Sequence, residues 1–195
     1  SGSWEKIPVK SRSIKISNLV TPFVECDVAS EFDLTSLNSL AESSTLEFLK
    51  GKATVNIIFK GPVTGDDSTA SNINGNININ GATIKYLPRN FLLSECDGTL
   101  KFIDQDLVVE KFSATTGKTN MVMKGNAENF LSLLNVRPEN LVMHWKISSP
   151  ELRLADFKEF LSRSDIKKGG NKKAKLGGAS SRIDKMFTDG DVHIN

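Results

Sequence analysis

The chain has 195 residues, 38% of them hydrophobic, which is enough to bury one sizeable core. Its 25 Lys and Arg residues nearly balance its 23 Asp and Glu residues, so the net charge of +2 gives no reason to expect a nucleic-acid partner. The sequence contains no apolar run of about 18 residues and no signal-peptide pattern, so it predicts no membrane span or targeting segment. We interpret residues 1–3 (Ser-Gly-Ser) as a remnant of cloning.

Alternation of apolar and polar residues predicts β-strands along most of the chain. "FVECDVASEFDL" (23–34) and "KATVNIIFKG" (52–61) each place apolar side chains on one side and polar ones on the other, which is typical of antiparallel strands with one wet face. "NINGNININ" (72–80) has asparagine at every second position, and we expect these amides to face water while Gly75 lets the sheet bend. The predicted strands are 13–19, 23–34, 52–61, 72–80, 82–87, 99–104, 106–114, 120–125, 140–149 and 191–195.

Short amphipathic helices are predicted where apolar residues recur three positions apart after a strand. The three stretches are 32–42, 125–134 and 152–162, and their recurrence suggests an internal repeat, with a shorter instance at 182–187. Residues 162–181 are rich in Gly, Lys and Ser, so we predict a mobile loop. Its lysines are more typical of a solvated loop than of a patch for anionic lipid or nucleic acid: Lys167, Lys168, Lys172, Lys173 and Lys175.

The predicted strands present more apolar surface than the few short helices can cover. We therefore predict a mainly β fold with minor α: a curved antiparallel sheet, or β-groove, with short amphipathic helices at strand ends and an apolar concave face. A β-sandwich is the alternative, because two stacked sheets would also bury one-sided strands. The predicted domain covers residues 4–161, and residues 182–195 return to it as a helix and a strand after the loop 162–181.

Catalytic and metal-binding motifs do not emerge from the sequence. Cys26 and Cys96 have no redox-pair or metal-ligand spacing, and we interpret them as two small buried side chains in preference to a disulfide. His144 and His193 have no Cys, Asp or Glu at ligand spacing. Asp97 is the one acid considered for catalysis, and a turn role is favoured because Asp-Gly is a hairpin signal. We predict no metal, no cofactor, no bound nucleotide and no enzymatic activity.

The apolar positions of five strands are candidates for lining a lipid-binding groove. They mix methionine and aromatic side chains, which adapt to a partner without fixed shape. For each residue the alternative is an ordinary core position. The candidates are Ile57, Phe59, Ile77, Ile79, Leu100, Phe102, Met121, Met123, Met143 and Trp145.

Residues 73–134 contain a glycine-led strand, then "DGTLKF" from Asp97 to Phe102, "LVVEKFSATTG" from Leu107 to Gly117, and a strand that closes on Gly125. In this pattern they resemble the C-terminal region of the bacterial AsmA family. The helix and strand in "FDLTSLNSLAE…GKATVNIIFKG" and the segment "ISSPELRLADFKEFL" are also similar to elements of the family. The pattern rests on the spacing of Gly, Asp and alternating apolar residues.

The resemblance implies an envelope protein of Gram-negative bacteria. AsmA-like proteins are anchored in the inner membrane by an N-terminal helix, extend through the periplasm as a repeating β-groove, and are associated with outer-membrane biogenesis and phospholipid movement. The chain is then expected to be a periplasmic fragment without the anchoring helix, with phospholipid or other lipid acyl chains as its ligand. The alternative is a non-catalytic structural or protein-interaction module that assists outer-membrane protein assembly.

Overall fold

The computed structural model describes residues 2–4, 7–18, 20–40, 46–62, 71–131 and 142–161. The predicted loop 162–181 and the predicted helix and strand within 182–195 lie outside these residues. Most of the described chain is strand, as the alternating pattern predicts. The strands are β1 (Gly2–Trp4), β2 (Ile7–Ser17), β3 (Phe23–Asp33), β4 (Leu46–Pro62), β5 (Asn72–Tyr86), β6 (Phe91–Ile103), β7 (Asp106–Thr116), β8 (Thr119–Glu128) and β9 (Val142–Ser148).

Each strand pairs antiparallel with its neighbour in sequence, so the order across the sheet is the order along the chain. Strands β2 to β9 form one curved, unclosed sheet, and β1 extends it by pairing with the first three residues of β2. The predicted curved antiparallel sheet is confirmed. The described part of the chain contains no second sheet of the kind that a sandwich requires.

Tight turns explain why consecutive strands become neighbours. Residues 104–105 connect β6 to β7, and residues 117–118 connect β7 to β8. Asp104 and Gly117 both have a φ of +56°, in the left-handed region that such turns require. The Asp, Gln and Gly residues of "DQD" (104–106) and "TTGK" (115–118) predict tight turns at both places, and the structure has them there.

Two strands run through positions that the sequence predicts as breaks. Residues 72–80 and 82–87 are predicted as separate strands, but β5 is continuous to Tyr86 because the register shifts near Gly81 absorb the irregularity. The hairpin turn predicted at Asp97 is wrong, because Asp97 lies inside β6. Its carboxylate Oδ1 accepts the backbone N–H of Gly81 at 2.8 Å, so this acid supports the irregular part of β5.

Helical structure is limited to short turns at strand ends. A 3-10 turn (Leu34–Ser36) and α1 (Leu37–Leu40) follow β3, and a 3-10 turn (Leu154–Phe157) and α2 (Lys158–Leu161) follow β9. Both lie within predicted helices. The helix predicted over 125–134 is wrong at its start, since β8 continues to Glu128 and only a 3-10 turn follows at 130–131. A further 3-10 turn (Leu87–Arg89) joins β5 to β6.

Candidate functional site

One face of the sheet is almost entirely apolar, because the strand register aligns apolar positions across neighbouring strands. We call this surface the apolar face and define it by three lateral rows from β3 to β9. The first row is Val28, Ile57, Gly75, Phe102, Leu107, Ala127 and Met143. The second row is Ser30, Val55, Ile77, Leu100, Val109, Gly125 and Trp145. The third row is Phe32, Ala53, Ile79, Gly98, Phe112, Met123 and Ile147.

The structure brings all ten predicted lining residues to the apolar face. Eight of them occur in the three rows. Phe59 extends the face along β4, opposite Ile73 of β5. Met121 extends it along β8, opposite Ala114 of β7. Alternation of side chains along each strand is sufficient to produce this grouping once the register is fixed.

Burial divides the ten residues into three groups. Ile79 and Met121 are 9% and 5% exposed and belong to the buried core. Trp145 is 43% exposed on the edge strand β9. The other seven are half-buried. The apolar face therefore grades from closed core to open surface.

One end of the apolar face is covered by the segment from Ser149 to Leu161, which we call the strap. The Asp156 carboxylate accepts the backbone N–H of Lys118 at 2.9 Å and the Thr119 hydroxyl at 2.8 Å. These hydrogen bonds, that of Thr119 first, lower the pKa of Asp156. The Thr119 hydroxyl also accepts the backbone N–H of Arg153 at 3.1 Å. The strap is thereby joined to the turn between β7 and β8.

Aromatic contacts join the far end of the strap to β6. The Phe91 ring lies 5.8 Å from the Phe157 ring and 5.2 Å from the Phe160 ring, measured between centroids. The Arg89 guanidinium donates a hydrogen bond to the Phe160 carbonyl at 2.6 Å and lies 5.3 Å from the Phe160 ring centroid. The strap therefore crosses from β9 to the start of β6 and closes this end of the face.

Two smaller elements cover other parts of the apolar face. Leu34 is 3% exposed in the core, and the Asn38 side chain exchanges two hydrogen bonds with the backbone of Phe48, at 2.8 and 2.9 Å. Near the β6–β7 turn, the Phe130 ring lies 6.2 Å from the Phe102 ring. The turn after β3 thus covers the face beside β4, and the turn after β8 reaches over β7 to cover part of β6.

Apolar side chains at both edges of the described sheet are open to solvent. On β2, Ile14 and Ile16 are 65% and 58% exposed. On β9, Ile147 is 59% exposed and lies two positions from Trp145 on the same face. Exposed apolar side chains that adjoin a larger apolar surface are typical of an interaction site.

The opposite, polar face explains the asparagine pattern in β5. Asn74 exchanges two hydrogen bonds with Asp104 in the β6–β7 turn, at 3.1 and 3.2 Å. Asn78 accepts a hydrogen bond from the Thr99 hydroxyl at 2.8 Å. The amides therefore bridge β5 to the next hairpin while the isoleucines between them face the apolar side.

Ion pairs connect the strands β2, β3 and β4 on the polar face. The Lys60 ammonium lies 2.9 Å from the Glu25 carboxylate across β3 and β4, and its hydrogen bond and positive charge lower the pKa of Glu25. Arg12 on β2 lies 3.8 Å from Asp27 on β3. Cationic and anionic side chains thus alternate across these strands.

The two cysteines are separate free thiols on strands β3 and β6. Cys96 is fully buried, and desolvation raises the pKa of its thiol to about 11. Cys26 is half-buried on the apolar face. The interpretation of two small side chains without a disulfide agrees with this arrangement, although Cys26 is less buried than expected.

The sequence analysis missed the residues that close and border the apolar face. Ile14, Ile16 and Ile147 follow the same alternating pattern as the predicted residues, so that signal was available in the sequence. Asp156 and Arg89 gave no comparable signal, because their partners are 38 and 71 residues away along the chain.

The described residues contain no group of three His, Cys, Asp or Glu side chains placed to hold a metal ion. Within the same residues, no helix has the length and apolar character needed to cross a bilayer. No protein-family model, curated protein or solved structure matches the chain.

Proposed function

We propose that this chain is the periplasmic part of an AsmA-like envelope protein and that its apolar face holds or guides phospholipid acyl chains. The process served is lipid transport between the inner and outer membranes during outer-membrane biogenesis. An N-terminal helix outside this sequence anchors the full-length protein in the inner membrane. The resemblance of residues 73–134 to the AsmA family supports the cellular setting, and the apolar face supports the ligand class.

The observation that carries the proposal is the extent of the apolar face. Its rows span seven strands, or about 29 Å at about 4.8 Å per strand spacing. An extended acyl chain occupies about 15 Å, half of the hydrocarbon core of a bilayer. If eight methylenes leave water, the gain is about 6 kcal/mol before the entropy of binding is subtracted. The rows are therefore longer than an acyl chain, which would lie along their half-buried and exposed members and not along the buried core.

We propose that the chain is not an enzyme. General acid–base chemistry needs carboxylates or histidines that converge on a substrate. Four described carboxylates instead accept structural hydrogen bonds from neighbouring strands and turns, which supports a scaffold role. They are Asp97 with Gly81, Asp104 with Asn74, Asp106 with Asn129, and Asp156 with Lys118 and Thr119.

Organic extraction of the purified protein followed by mass spectrometry tests the proposal. We expect co-purified phospholipid and uptake of a phospholipid with a fluorescent acyl chain. Ile147→Glu places a charge on the apolar face at an exposed position and should reduce uptake at least several-fold while the protein stays folded. Val142→Glu is the matched control, because Val142 is 44% exposed on the same strand but on the polar side. Equal uptake by both variants, or no lipid in the parent, would contradict the proposal.

The second candidate function is a structural or protein-interaction module that assists outer-membrane protein assembly. The open edge of β2 favours it. Among the described strands, β1 pairs only with Ile7–Val9, and the rest of β2 pairs with β3 alone, with a bulge between Ser11 and Ser13. An exposed edge can accept an added strand. Purified protein without co-purified lipid, together with binding of unfolded outer-membrane protein that Ile14→Pro abolishes, would favour this function.

A further inference from the structure

The edge strand β9 carries opposite chemistry on its two sides. Met143, Trp145 and Ile147 belong to the apolar face, whereas His144 and Lys146 alternate with them and belong to the polar face. All five except Met143 are exposed. Because β9 has no partner on its outer side among the described strands, both kinds of side chain are accessible from one edge.

Two lysines face each other across the last two strands. Lys124 on β8 lies directly opposite Lys146 on β9, and both are exposed. Like charges in directly opposed positions of a β-sheet repel each other, so a bound anion would stabilise the pair. In the described part of the chain neither lysine makes an ion pair, unlike Lys60 with Glu25 or Lys50 with Glu95.

A surface depression connects the two chemistries. It has a volume of about 580 Å³ and extends over β7, β8 and β9. Two lysines and one carboxylate line it, which leaves an excess of positive charge. The lining residues used here are Glu110, Lys124, Met143, His144, Trp145 and Lys146.

We propose that the β9 edge docks the phosphate headgroups of anionic phospholipid, with Lys124 and Lys146 binding phosphate while Trp145 and Ile147 contact the acyl region. This rests on the proposed function, in which the apolar face holds acyl chains, and adds the lipid class and the edge at which lipid meets the protein. Alternation of tryptophan and isoleucine with lysine on one exposed strand suits a membrane interface, where the polar and apolar layers are adjacent. A soluble polyanion would use the lysines and leave the apolar side chains without a partner.

The test is co-flotation of the protein with vesicles of phosphatidylglycerol and phosphatidylcholine, compared with vesicles of phosphatidylcholine alone. A lysine close to an anionic lipid surface contributes roughly a 5-fold gain in binding. The double variant Lys124→Gln and Lys146→Gln should therefore bind the anionic vesicles about 10- to 30-fold more weakly in low salt. The matched control is Lys10→Gln with Lys15→Gln, which removes the same charge from the exposed opposite edge and should change binding less than about 3-fold.

Further measurements separate this inference from the proposed function. Ile147→Ser should weaken vesicle binding, and both lysine variants should still take up the fluorescent acyl chain. If the parent takes up acyl chains but binds both vesicle types equally, the headgroup site is wrong and the proposed function stands. If it binds anionic vesicles but takes up no acyl chain, the proposed function fails and the β9 edge remains a membrane contact. Equal losses in the two lysine pairs, or tight binding of short RNA that Ile147→Ser leaves unchanged, would overturn the inference.

Discussion

Replacing Ile79 by Glu tests how far the apolar face is closed. Ile79 is 9% exposed, is paired with Ala53 and Gly98 on the neighbouring strands, and belongs to the buried core. Removing the isoleucine side chain from this position costs about 2–3 kcal/mol of burial. A carboxylate placed there must ionise in a poorly hydrated site, and a rise in its pKa of about 3 units corresponds to about 4 kcal/mol at neutral pH.

The sum, about 6–7 kcal/mol, is comparable to the whole free energy of unfolding of an ordinary domain, about 5–15 kcal/mol. We therefore expect Ile79→Glu to be largely unfolded or only marginally folded at pH 7. Ile147→Glu, at a position that is 59% exposed, should lose no more than about 1 kcal/mol, because its carboxylate reaches water. The measurement is urea unfolding followed by circular dichroism.

The dependence on pH identifies the cause of the loss. The folded-state pKa of the new carboxylate is raised above its unfolded value of about 4.3, so its penalty is complete above the raised pKa and disappears as the pH falls to the unfolded value. As the pH falls from 7 to 5, the stability of Ile79→Glu should therefore approach that of Ile79→Gln. The stability of Ile79→Gln itself should change little over this range. If Ile79→Glu is as stable as Ile147→Glu at pH 7, Ile79 is open to water and the closed end of the face is wrongly assigned.

Gly75 has a φ of +137°, and a β-carbon there would overlap a backbone carbonyl oxygen of β4. Gly75→Ala should therefore lower the free energy of unfolding in urea by at least about 2 kcal/mol. A loss below about 0.5 kcal/mol, as at an unstrained surface site, would contradict this. Iodoacetamide at pH 8 should label Cys26 in the folded protein but label Cys96 only after urea is added. The reason is that the Cys96 thiol is buried and has a pKa of about 11. Equal labelling rates for the two cysteines in the folded protein would refute this. The lowered pKa of Asp156 means that its stabilising contribution is complete above about pH 4 and is lost as the pH falls through the folded-state value. The stability of Asp156→Asn should therefore depend less on pH between pH 5 and pH 3. Its Lys118 amide hydrogen should also exchange faster with solvent, and unchanged exchange would show that the strap does not depend on this carboxylate.

Alternation along the chain was enough to predict the strands and the composition of their two faces. In β5, isoleucine and asparagine alternate over 72–80, so a pleated strand must separate them whatever it pairs with. The same reasoning placed all ten candidate residues on one face before any register was known. Turns at 104–105 and 117–118 were also predictable, because the residues there favour left-handed backbone conformations.

Local pattern failed where a distant partner decides the outcome. Asp97-Gly98 has the composition of a hairpin turn, yet it continues as strand because the Asp97 carboxylate is occupied by Gly81, 16 residues earlier. The stretch 125–134 has apolar residues three positions apart, at Ala127, Phe130 and Leu133. Its first part, Gly125 to Glu128, nevertheless stays extended because it pairs with β7 and β9 on both sides. Pairing with two neighbouring strands outweighs the weak local preference for a helix.

The sequence by itself determined which residues are apolar on each strand, since side-chain direction alternates along any β-strand. The tertiary structure alone decided which of them are covered. Ile79 and Ile147 lie in one lateral row of the apolar face, but the first is 9% exposed and the second 59%. Their difference arises from the position of each strand in the sheet and from the strap, whose contacts with Lys118, Thr119 and Phe91 join segments distant in sequence. Burial is a property of these non-local contacts, and no local pattern encodes it.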